Sequence, residues 1–328
     1  MYLQLYAHNV PVRGTAAGAI YNLHQGSLTR VPLVLLDLLA QLALAPLATV
    51  RARYAYDLAS FDRYVDFLLG KDLAFKTEEP AHFPPLDLAW HYPGLLTHAV
   101  LEYEFAHYAL PEVLTQLDRL LCRHLELRLD LGSQPATALH ELLTPLATSV
   151  FKTITLFIRH TAATTPAVLD EVYAAHSKLT YLFCHSAPAT ARSAQHARVL
   201  TTRWELGNGG DIPLLPASKY IVNSQFFAEA QQHNPYYNGR VCVNYLGQLK
   251  NCLRHAQSFG QVQAQPLREL IGQPGFQELW HASADKIDGL CESELRYAVC
   301  PSQALRRSSP GRYAVVSPEE VPSVLISN

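Results

Sequence analysis

HAVLEYEFAHYALPEVLTQLDRLLCRHLELRLD, residues 98–130, reads as strand, helix and strand, and the pattern then repeats. Apolar strand-like runs recur as HAVLEYEF (98–105), HLELRLD (124–130), KTITLFIRH (152–160) and LTYLFCH (179–185). The helical stretches PEVLTQLDRLLC (111–122), ATALHELLTPLA (136–147) and PAVLDEVYAAH (166–176) separate them. A period of roughly 27 residues suits one strand plus its crossover helix, so the expectation is a parallel sheet in an α/β fold. A fifth run, ARVLTTRWEL (197–206), follows with little room for a helix before it. A closed eight-fold barrel needs far more chain, which leaves an open or truncated sheet over residues 83–206. The first strand ends in Glu102, Glu104 and, just beyond, His107, which could bind a metal. Alternation puts both glutamates on one face, where solvation accounts for them without one.

Upstream the texture changes. YLQLYAHNVPV (2–12), AIYNLHQG (19–26) and SLTRVP (27–32) are short strand candidates, the last two joined at Gln25-Gly26. VPLVLLDLLAQLALAPLA (31–48) is apolar enough to raise the membrane question. Asp37 and Gln41 share a face, however, and Pro32 and Pro46 stand at the ends, which predicts a buried amphipathic helix. Ser60 can cap a helix over SFDRYVDFLLG (60–70), and LAFKTEEP (73–80) returns as a strand. Three strands, helices and a wing make a winged-helix-like module of residues 1–82, which looks like the leader-recognition modules of peptide-modifying systems. A peptide would add a strand to an exposed edge there. Tyr21, Leu23 and Leu28 on the strands, and Asp62 and Asp66 one turn apart on the helix, are the candidate peptide contacts. An ordinary capping subdomain is the alternative.

Downstream, VCVNY (241–245) and QLKNC (248–252) are β-prone runs joined across Leu246-Gly247, a hairpin whose tight turn suits glycine. PLRELIGQPGFQELW then suggests a helix interrupted between Gly272 and Gly275. Cysteines follow the hairpin and this helix. Thiolates on short rigid segments can converge on one iron–sulfur centre, which takes four soft ligands.

The stretches HNPYYNGRVCVNYLGQLKNCLRHAQSFGQV (233–262) and FQELWHASADKIDGLCESELRYAVC (276–300) resemble the SPASM domain of peptide-modifying radical SAM enzymes. More closely, they resemble the SPASM-type maturases of grasp-with-spasm systems, with a SPASM-like domain over residues 207–305 and an irregular tail over 306–328. The resemblance implies that Cys252, Cys291 and Cys300 are remnant cluster ligands. Tyr236 stands where the family has a cysteine. With the family's spacing kept, Glu294 replaces another; with ELRY (294–297) aligned to the family's EFRY instead, Cys291 and Cys300 fall one position off. Either way four thiolates do not survive, and those that do would be split between two clusters. None of the six cysteines forms the C-x3-C-x2-C that leaves an iron open to S-adenosylmethionine. The expected cofactor set is therefore empty, a residual iron–sulfur cluster being the less favoured alternative.

What the resemblance implies is a role in maturing a ribosomally made precursor peptide, beside an ATP-grasp ligase. What the residues imply is that this chain acts without radical chemistry, as a catalytically degenerate relative. The alternatives are an active peptide-modifying enzyme with an incomplete auxiliary centre or unrecognised residues, and a structural α/β protein with no peptide partner. Net charge of −2 over 328 residues, without a basic run, argues against nucleic acid as the main partner. Six scattered cysteines with no secretory signal suggest a reducing cytoplasm. His124, His160 and His185 end strands and read as structural, as does GNGG (207–210), whose following prolines do not open a helix. Cys184 and His185 are adjacent on a strand and point to opposite faces, so they make no nucleophile–base pair; Cys252 and His255 could approach.

Overall fold

The computed structural model describes residues 1–206 and 220–316. GNGG at 207–210 and residues 317–328 of the tail lie outside the described residues. The chain divides into two compact units: one holds residues 1–91, 220–235 and 282–316 of the described chain, the other 92–206 and 236–281. Both are mixed α/β.

The first unit opens with β1 (Tyr2–Leu5), β2 (Asn9–Arg13), β3 (Gly18–Asn22) and β4 (Ser27–Val31), then α1 (Leu33–Leu42), α2 (Leu47–Arg53), α3 (Leu58–Gly70) and β5 (Ala74–Thr77). Strands β2, β3 and β4 form an antiparallel meander in that order, while β1 pairs separately with β5. Residues 2–12 are thus two strands rather than one. Every residue of β3 is buried, because the meander is covered on both faces. Ile20 and Val31 join Leu35, Leu38, Phe61 and Leu68 of the helices. Ala19, Tyr21 and Leu23, alternating with them, pack with Phe227 of the helix Ser224–Gln232 and with Leu295 and Tyr297. Gly14 cannot be anything larger, since a Cβ there would sit 2.6 Å from the backbone N of Glu294.

Three local expectations are corrected. The helix expected over 31–48 is two, because the Pro46 ring excludes the carbonyl four residues back and turns Ala45 away from helix. Ser60 is not the cap of α3: the Asp57 carboxylate accepts its backbone N–H at 3.0 Å. Leu305–Ser309 and Arg312–Val315, all but Leu305 inside the expected irregular tail, pair as a hairpin turning at Pro310-Gly311, with Gly311 at φ 73°. Among the described residues no helix is long and apolar enough to cross a membrane.

The second unit follows the repeat. β6 (His98–Tyr103), α4 (Leu110–Arg119), β7 (His124–Leu129), α5 (Thr137–Leu143), β8 (Thr153–Arg159), α6 (Pro166–Ala175) and β9 (Leu179–His185) alternate, and the four strands pair in parallel. After β10 (Ala191–Arg192), β11 (Val199–Thr201) lies parallel to β9 with no helix between. The expected hairpin is β12 (Arg240–Val243) and β13 (Leu249–Lys250), turning at Gly247 with φ 77°. β12 pairs parallel to β6, so the hairpin extends this same sheet. The order β10-β11-β9-β8-β7-β6-β12-β13 is an open, mostly parallel sheet. Its faces differ in chemistry. Leu127, Leu156 and Leu182 stand in register on one; Glu102 and Arg128, then Arg159 and His185, stand in register on the other.

Candidate functional site

The carboxyl ends of the parallel strands carry the chemistry. Glu102 and Tyr103 of β6, Arg128 and Leu129 of β7, Arg159 of β8 and His185 of β9 line an open pocket with Glu104, Asp130, Leu206 and Tyr245. Open α/β sheets hold ligands at this edge, where side chains from neighbouring strands converge. The pocket encloses about 120 Å³. That is room for about four waters, so the end of a single side chain fits it.

Arg128 is only 5% exposed and is held from two sides. Its Nε and Nη2 lie 2.7 and 2.6 Å from Glu126 Oε1, and Nη1 lies 3.6 Å from Glu102 Oε1. Glu102 is itself 7% exposed, so the solvated-face expectation fails for it; Glu104, 3.2 Å from His107 Nε2, fits that expectation better. At the rim Arg159 Nη1 contacts Asp130 Oδ2 at 3.1 Å. His185 is buried, with Nδ1 3.1 Å from Ser186 Oγ. Burial, and then the Arg159 guanidinium, hold its imidazole below the usual pKa, so it is neutral at pH 7 and can accept a proton from a bound group. The chain leaves β6 and β9 through Phe105 at φ 63° and Ser186 at φ 57°, left-handed conformations that are costly for a bulky side chain.

Sequence reasoning singled out Glu102 and Glu104 here but took His185 as structural, and it missed Arg128, Asp130, Arg159 and Tyr245. The available signal was that apolar runs 98–105, 124–130, 152–160 and 179–185 each carry a charged or imidazole residue within their last two positions.

The expected cluster ligands are differently placed. Cys252 is buried in the unit with the large sheet, whereas Cys291 and Cys300 belong to the other unit. Tyr236 Oη lies 3.8 Å from Cys252 Sγ, the Arg240 guanidinium sits 4.4 Å from the centre of the Tyr236 ring, and Tyr237 meets that ring edge-on. Cys291 Sγ accepts a hydrogen bond from Arg312 at 3.2 Å. Among the described residues no group of three His, Cys, Asp or Glu could hold a metal. An iron–sulfur cluster needs four such ligands around one centre, and the described residues offer no such group.

Cys184 faces away from His185, 3.8 Å from His160 Nδ1, fully buried, with burial pushing its thiol pKa up. His255 stacks on Tyr237, its Nε2 3.3 Å from Tyr237 Oη.

Of the candidate peptide contacts, Tyr21 is fully enclosed, its hydroxyl donating to the Glu294 carbonyl at 2.8 Å and its ring 5.0 Å from Phe227. Leu23 is buried beside it, and Leu28 packs partly against the same core. Burial leaves Tyr21 and Leu23 no surface to offer a peptide, while Leu28 lies on β4, an end strand of its sheet. Asp62 is paired bidentately with Arg51, at 2.9 and 2.7 Å, and Asp66 is exposed on α3. No protein-family model matches the chain, and no curated protein matches it.

Proposed function

We propose that the chain helps to mature a ribosomally made peptide, binding the precursor as a radical SAM/SPASM-like protein without cluster chemistry. Residues 1–82 then act as a winged-helix-like leader reader, the βα sheet is a truncated radical-SAM-like half, and the hairpin region is a collapsed SPASM-like module. The observation that carries this reading is Tyr236. It stands where the resemblance puts a cluster ligand and lies 3.8 Å from Cys252, which supports an aromatic ring in place of a cluster. Burying such a ring contributes roughly 2 kcal/mol to the stability of the hairpin region. An ATP-grasp ligase is the proposed partner and the cytoplasm the proposed compartment.

Two measurements test it. Anaerobically reconstituted protein given dithionite, S-adenosylmethionine and a candidate precursor peptide should make no 5′-deoxyadenosine; production above a no-protein control would overturn the proposal. Titration of that peptide should show binding that depends on the outer edge of β4. Leu28→Pro removes a backbone donor and should weaken it about fivefold or more, while Leu28→Ala costs less than about twofold. Circular dichroism must show both variants folded, and equal affinities would exclude this edge.

A second reading, an enzyme working through the strand-end pocket, is favoured by the neutral His185, which lines that pocket with Asp130 and Glu102. A mass change in the peptide, lost in His185→Gln, would select it.

A further inference from the structure

We infer that the strand-start edge of the large sheet binds a phosphoryl group, gripped by Arg240 with His98 and His124 beside it. The three residues stand in register, Arg240 of β12 against His98 of β6 and His98 against His124 of β7, so their side chains share one face. The two imidazoles stack with ring centres 4.7 Å apart. Arg240 is 7% exposed, and its Nε has no hydrogen-bond partner among the described residues. A guanidinium so enclosed is costly unless an anion meets it. Its neighbours are the Tyr236 ring, 4.4 Å away, and the Cys242 sulfur, a thiol that donates to the Asn251 carbonyl at 3.5 Å. Glu126 attracts it more weakly than either, and that carboxylate already takes two contacts from Arg128. An unsatisfied buried donor calls for a ligand, and the charges around this one select an anion.

Thr97 Oγ1 donates to the carbonyls of Asn238 and Gly239, so it accepts from His98 Nδ1 at 3.0 Å and leaves Nε2 for a ligand. His124 Nδ1 is likewise turned to Thr153 Oγ1, at 2.7 Å. His98 is open to solvent, yet desolvation, His124 and Arg240 hold its pKa down at about 3, a combination that belongs to a recess. Burial, then Lys152 and Arg123, lower that of His124. Arg240, Lys152 and Arg123 are thus the fixed charges acting on the two rings, and all are positive. A bound anion reverses their effect: it draws a proton onto the imidazole, which becomes a further donor beside the guanidinium. Guanidinium forks match phosphoryl oxygens two at a time, and a dianion answers more of these donors than a carboxylate does.

This site does not depend on the peptide role proposed above. The test uses the full chain and inorganic phosphate at constant ionic strength, followed by ligand-observed NMR. Phosphate should bind with a Kd of about 1 mM, and acetate about fivefold more weakly. Methyl phosphate separates the two sources of the group: binding equal to phosphate means that a monoester is accepted, rejection means free phosphate, and either supports the site. Arg240→Met removes the fork and should weaken phosphate about tenfold or more. His98→Gln, at an exposed position, should weaken it about threefold and carries the test where circular dichroism shows the arginine variant unfolded. Arg192→Gln, exposed on β10, should bind as the wild type does. No phosphate binding at about 10 mM, or acetate bound as tightly, overturns the inference. Equal losses in all three variants, or wild-type affinity in folded Arg240→Met or in His98→Gln, overturn it as well.

Discussion

Replacing Arg128 with methionine is expected to destabilise the unit containing the large sheet by about 3–5 kcal/mol, among the largest effects of any single change there. Methionine replaces the packing of the stem but not the charge. Glu126, which now receives two contacts from the guanidinium, and Glu102, 3.6 Å away, would be left as neighbouring carboxylates with little water to solvate them. Each must then protonate or pull the strand ends apart, and either route costs free energy. The same logic predicts rescue. Adding Glu126→Gln and Glu102→Gln to Arg128→Met removes the stranded charges and should recover most of the loss, because these three groups act as one network and their effects do not add. Urea unfolding of the three variants, followed by far-ultraviolet circular dichroism, measures this. A loss in Arg128→Met under about 1 kcal/mol, the size of a surface pair, would mean that water reaches the site freely.

The second large effect separates an aromatic plug from a metal centre. Tyr236→Ala should cost about 3–5 kcal/mol, since it leaves a ring-sized cavity among Tyr237, Arg240 and Cys252. Cys252→Ala removes a single sulfur and should cost about 1 kcal/mol. Were Cys252 a cluster ligand the order would invert, and visible absorption would vanish with the cysteine. Iron content and absorption spectra of anaerobically purified wild type and both variants, beside their unfolding curves, decide between the two.

The strand–helix repeat of residues 98–185 was readable because each element carries its own period: apolar strand-like runs, then leucines at helical spacing in PEVLTQLDRLLC. The turn at Gly247 was readable for a similarly local reason, since φ 77° is accessible to glycine without a Cβ clash. Local features failed where two signals competed within a few residues. Asp57 and Ser60 can both cap α3, and only the backbone path shows which one faces the open N–H groups. In the tail, serine and proline composition concealed a Pro-Gly turn between two strands.

The residues of the pocket were visible as letters but not as a site. Alternation places Glu102 and Glu104 on one face of β6, yet it is silent on whether that face meets water or Arg128. Tyr21 shows the same gap: its strand was legible, but the residues that enclose it come from helix Ser224–Gln232 and from Leu295 and Tyr297. By itself the sequence determined the strand–helix repeat of residues 98–185, the hairpin turning at Gly247 and the absence of a C-x3-C-x2-C motif, all readable from short windows. Only the tertiary structure decided that β12 lies beside β6, that four strands deliver their charged ends to one pocket, and that Cys252 and Cys291 belong to different units. Those outcomes depend on pairing between segments far apart in the chain, where edge hydrogen bonds and burial select one partner among several that local pattern allows equally.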